Sequence, residues 1–196
     1  MGENGDGSAA RIDAYADASA GMWLMIAAGT GALLAVLFGF SGNGIPEPVW
    51  SAVHAVFALP LAHVFVPMLM PAALLFGAYG MVARLEGRLK VRRQRGALAL
   101  LAFGAILLAP PVAGVFSGMY GAALLALSIR IRETLTVATG VMALAASVSV
   151  SVLERGWVGA CILVLTAAAC FTAAWRVGKG LRSLGAYGVV PAIGGP

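Results

Sequence analysis

Charge is absent from five long stretches of this chain, and that limits what it can fold into more than any other feature. Met22–Phe40 runs 19 residues without Asp, Glu, Lys or Arg, Val49–Ala83 runs 35, Ala97–Ile129 33, Thr134–Leu153 20 and Trp157–Trp175 19. A helix crosses a hydrocarbon core of about 30 Å with about 20 apolar residues, so each stretch suffices for at least one crossing. Only 11% of the chain is charged, against roughly 25% in soluble domains, which argues against a soluble globular protein. In lipid every backbone polar group must be satisfied within the protein, which leaves helices or closed barrels. The runs are unbroken and rich in Ala, Leu and Gly rather than alternating like barrel strands. The expected fold is therefore all-α: a polytopic membrane helix bundle of about six transmembrane helices, some of its segments broken by proline.

The net charge of +5 reads as a topology signal once it is placed along the chain, and nucleic acid is not an expected partner. Residues 1–21 carry Glu3, Asp6, Asp13 and Asp17 against Arg11. Arg84 to Arg95, RLEGRLKVRRQR, carries six basic residues against Glu86, and Arg176, Lys179 and Arg182 follow the last apolar run. Basic residues beside membrane spans mark cytoplasmic loops, and such a run also suits anionic lipid heads. Arg84, Arg88, Lys90, Arg92, Arg93 and Arg95 are accordingly candidate lipid-head contacts. The expected division is a polar head over 1–21, a transmembrane domain over 22–176 with a cytoplasmic basic loop at 84–95, and an irregular cytoplasmic tail over 177–196.

The head lacks the basic n-region of a secretory signal, so no cleavage is expected, and a short surface helix from Ser8 through Ser19 is expected there. Met22–Phe40 is the first span, with Gly29, Thr30 and Gly31 as a small-residue patch where another helix can approach. Val49–Ala83 would be about 52 Å long as one helix, too long for one crossing. Pro60, Pro67 and Pro71 are expected to break or kink it, with a spanning helix from about Leu61 to Ala83. Ala97–Ile129 is interrupted by Pro110 and Pro111 and is expected to go out and return as a hairpin. Its second arm carries Gly114 and Gly118, a GxxxG pair, with Ser117 and Gly121 repeating the spacing. Thr134–Leu153 and Trp157–Trp175 form a second hairpin, with Trp157 and Trp175 as interface anchors. Both termini fall on the cytoplasmic side of what is expected to be a bacterial inner membrane.

Chemistry is sparse. His54 and His63 are the two histidines, nine positions apart and hence on opposite faces of an unbroken helix, which is wrong for one metal or one haem. They are candidate pathway or ligand-contact residues, together with Ser117 and Tyr120. The acidic residues fall outside the expected spans, which argues against a carboxylate relay or a metal site. No catalytic residue, metal or cofactor is expected. Ser147, Ser149, Ser151 and Thr139 are expected to bond mainly to backbone. Cys161 and Cys170, about 13.5 Å apart along a helix, are too far apart for a disulfide and are expected to be free packing residues.

Asp6, Gly7, Ala10 and Arg11 form a DGSAAR stretch that resembles the opening of the DGxxAR motif of CDP-alcohol phosphatidyltransferases. That family needs a downstream Gly and two further Asp for its metals, and Ala20, Leu24 and Ala28 stand at those positions. The family also places its motif after two membrane helices. The resemblance therefore does not extend to the metal-binding set.

The proline-broken segments favour a small membrane transport protein, or the membrane subunit of a transport complex, handling a small solute. A non-catalytic scaffold or assembly subunit comes second and a membrane-embedded enzyme third. Expected partners are the lipid bilayer and other membrane subunits or further copies of the chain.

Overall fold

A computed structural model describes residues 4–39, 62–90, 94–107, 116–131, 134–152 and 157–186. These form six helices, and no strand occurs among the described residues. They are α1 (Asn4–Gly39), α2 (Ala62–Leu89), α3 (Arg95–Leu107), α4 (Phe116–Ile131), α5 (Thr134–Val152) and α6 (Trp157–Ala186). The all-helical expectation holds. Two of the helices, over Ala10–Val36 and Trp157–Ser183, are long and apolar enough to cross a membrane.

The expected short surface helix and the first apolar span are one helix of 36 residues. Alanine, the best helix former, recurs from Ala9 to Ala20, so nothing local separates the polar part from the apolar part. Tertiary packing does the rest, since Ala16, Ser19 and Ala20 are already buried. Leu24 and Ala28, where a phosphatidyltransferase would carry metal ligands, are core residues.

The expected break at Pro67 is not present: α2 runs without interruption from Ala62 to Leu89, through both Pro67 and Pro71. Each proline removes one backbone donor, but packing against neighbouring helices lets a helix absorb that loss. Pro71, Ala72 and Leu75 are buried and supply that packing around Pro71. The expected spanning helix from about Leu61 matches the start of α2, while Pro60, Pro110 and Pro111 lie outside the described residues. The basic run expected as a loop is largely helical too. Arg84 to Leu89 are the last turns of α2 and Arg95 opens α3. Lys90 ends α2 in the left-handed region, with φ of 56°, a C-terminal reversal more often made by glycine.

The tail expected to be irregular from residue 177 is helical as far as Ala186. Val177 and Leu181 are buried, so α6 keeps its inward face past Arg176 and Lys179. The Lys179 ammonium sits 5.7 Å from the Trp175 ring centroid, in a cation–π contact.

α1 is the central helix, packed on α6, α2 and α4; α4 pairs with α5, and α2 with α3. Neighbouring helices alternate in direction. Gly178 faces Met22, whereas Gly29 faces Phe171 and Ala167, so α1 and α6 are antiparallel. Gly121 lies against Gly140 and Leu144, and Gly140 against Leu124 and Leu125, so α4 and α5 are antiparallel. α2 and α3 form a hairpin closed near Glu86 and Gln94, with Phe76 edge-on to Phe103 at 5.3 Å farther along. Ala20, Leu24, Leu75, Leu98, Tyr120 and Leu124 are among the residues of the main core. A second cluster, Ala32, Val150, Leu163 and Ala167, closes the far end of α1.

Candidate functional site

Two features stand apart from ordinary packing. The first is a buried polar cluster where α2 turns into α3. Glu86 is 1% exposed; its Oε1 accepts from the Gln94 amide at 2.5 Å and its Oε2 from the Arg95 amide at 3.4 Å. The first amides of a helix have no acceptor within it, and a carboxylate there also complements the helix dipole. Gln94, likewise 1% exposed, donates from Nε2 to Asp17 Oδ1 at 2.6 Å. The α2–α3 corner is thereby tied to α1 across 77 residues of sequence. Gln94 Oε1 is buried with no partner among the described residues. Sequence reading missed this cluster: Glu86 counted only as one negative charge in a basic run, although a lone acidic residue there was the available signal.

The second feature is an open-sided cavity of about 460 Å³ between α1 and α2. From α1 it is lined by Trp23, Ile26 and Thr30, among others, and from α2 by Ala73, Gly77, Gly80 and Arg84, with Leu74, Phe76, Ala78 and Met81 beside them. Ala73, Gly77, Gly80 and Arg84 recur every three or four residues and so share one face. An ideal Cβ placed on Gly77 or Gly80 meets no atom of the described residues within 4 Å, so among those residues the groove is open.

The residues singled out from sequence separate in the structure. Arg84 lines the groove, and Arg88 and Lys90 are exposed. Arg95 is half-buried and donates its amide to Glu86. Arg92, Arg93 and His54 lie outside the described residues. His63 is in the first turn of α2 and Ser117 in the first turn of α4; their side chains lie outside the described part. Tyr120 is 1% exposed in the main core, its ring against Gly31, so the structure gives it a packing role.

Of the hydroxyls singled out from sequence, Thr139 donates to the Leu135 carbonyl at 2.8 Å; Ser128, outside that set, donates to that of Leu125 at 2.7 Å. Cys161 is free and exposed, Cys170 free and buried. Among the described residues no three His, Cys, Asp or Glu side chains converge as a metal site would need. Comparison with protein-family models, curated proteins and solved structures finds no match for this chain.

Proposed function

We propose that this chain is a multi-pass integral membrane protein that acts as a non-catalytic membrane subunit, receiving an apolar partner along the α1–α2 groove. The groove carries the reading: it is lateral, largely apolar and floored by glycines that make no packing contact across it among the described residues. Support for the membrane comes from the outer surface, where Ile129 is 81%, Leu100 75% and Leu165 69% exposed. Soluble monomers rarely expose large contiguous apolar area, whereas lipid covers it at no cost.

Six helices of alternating direction suit a bundle that crosses the bilayer repeatedly. The cytoplasmic side of an inner membrane then holds both termini, Arg84–Arg95 and Arg130–Glu133, with Glu47 and Glu154 opposite, by the excess of basic residues. Labelling of single introduced cysteines from each side checks this. Reaction of position 130 only from outside would remove one crossing and with it the orientation. A photoreactive group at residue 80 tests the groove. Adducts are expected there and not at residue 180, and equal labelling of the two positions would sink the subunit reading.

A membrane subunit for transport of a small solute is the second reading, and the Asp17–Gln94–Glu86 cluster, with Glu86 and Gln94 buried and Asp17 half-buried at the cytoplasmic end of the bundle, favours it. Ionisable side chains inside a membrane bundle commonly mark solute or proton paths. Its sequence support from a break at Pro67 is gone, because α2 is continuous there. Under this reading His63 lines an outer vestibule, and His63→Ala lowers solute uptake without lowering expression.

A further inference from the structure

We propose that the α1–α2 groove seats one acyl chain of an anionic phospholipid, with its phosphate held by Arg84. The proposal rests on the membrane reading above and names the partner that reading leaves open.

The groove has the shape of a chain. Its α2 wall from Ala73 to Arg84 is one helical stripe about 16 Å long at 1.5 Å per residue, and Trp23, Ile26 and Thr30 form a matching stripe on α1. Among the described residues nothing fills the slot above Gly77 and Gly80, and lining atoms without partners forfeit their dispersion contacts. A flexible hydrocarbon chain restores them.

The charge is placed for a headgroup. Arg84 is the one charged residue among the described residues of the lining. It stands at the end of the groove where α2 approaches the α3 corner, and among the described residues it forms no ion pair. Arg88, one turn on and on the same side of α2, is exposed beside it. A planar guanidinium binds phosphate oxygens two at a time. An apolar slot ending in cations is complementary to an anionic amphiphile, and a zwitterionic lipid would gain less from it.

Trp23 lies in the lining and reports occupancy directly. In the full chain with Trp50, Trp157 and Trp175 replaced by Phe, Trp23 is the sole indole. The protein is reconstituted into dioleoylphosphatidylcholine vesicles doped with brominated-chain phosphatidylglycerol or, separately, brominated-chain phosphatidylcholine. Half-maximal quenching is expected at an about fivefold lower mole fraction of the anionic lipid, the preference one basic residue confers near an anionic surface. Arg84→Gln removes the preference while quenching by either lipid persists. Gly80→Leu fills the slot and removes the low-fraction quenching, whereas Gly180→Leu, on an exposed turn of α6 with open space around it, leaves it intact. Equal quenching by the two lipids, a preference that survives Gly80→Leu, or quenching that falls as protein is packed more densely would each overturn the proposal, the last by showing a second copy in the groove. A protein that does not float with the vesicles overturns the membrane reading as well, so the two failures are told apart.

Discussion

Gly31 on α1 and Gly80 on α2 look alike in sequence, both glycines within apolar runs, yet they do opposite things. A Cβ on Gly31 would lie 2.8 Å from the Tyr120 hydroxyl and closer still to its ring, so this glycine is what lets α4 approach α1. A Cβ on Gly80 would touch nothing among the described residues, so that glycine keeps a space open between them. Gly121 belongs with Gly31: its Cβ would come within 2.8 Å of the Leu144 backbone nitrogen. Gly77 belongs with Gly80. Small residues in these apolar helices thus mark either a contact or a vacancy, and only the neighbouring helix decides which.

The strongest test of that contrast is to fill both kinds of site. Gly31→Leu and Gly121→Leu should cost about 3 kcal/mol or more, the upper range for overpacking a well-packed interior. Thermal unfolding in detergent should show a large drop in midpoint or no folded protein at all. Near-native stability of either variant would mean that the α1–α4 and α4–α5 interfaces are looser than described.

A smaller loss is expected where polar groups, not glycines, hold helices together. Glu86→Ala removes the acceptor for the first amides of α3 and should cost about 1–2 kcal/mol. Gln94→Leu should cost less, because it deletes the unpartnered Oε1 together with the bond to Asp17. Amide hydrogen exchange at the start of α3 should quicken in the first variant and change little in the second. The reverse order would mean that the tie to α1 matters more than the helix cap.

The smallest effect, of opposite sign, sharpens the comparison most. Gly77→Ala and Gly80→Ala should be neutral or stabilising by about 0.4–1 kcal/mol, because alanine restricts the unfolded chain and suits a helix better. Unfolding midpoints equal to or above that of the parent are expected. A loss at either position would reveal a close neighbour over the groove.

The helical class, the division of Ala97–Ile129 into two arms and the two long apolar spans were legible because they follow from local pattern: uninterrupted apolar runs, and charges between them. Element ends were not. Ala16 to Ala20 and Val177 to Leu181 stay helical because they bury a face against another helix, the turns before Ala16 rest on the helix propensity of alanine, and α2 passes Pro71 with Pro71, Ala72 and Leu75 buried around it. The candidate site was less legible still. Arg84 was singled out for its charge alone, while the pairing of Glu86 with Gln94 and Asp17 depends on a chain reversal at Lys90 that local composition does not encode.

What the sequence alone determined is therefore the class of the fold, because the lack of charge and the wealth of helix-forming apolar residues act locally and hold whatever the partner. What only the tertiary structure decided is which small residues are contacts and which are openings, and which charge is buried. Those depend on distances between helices far apart in the chain, and a one-dimensional pattern does not contain such distances.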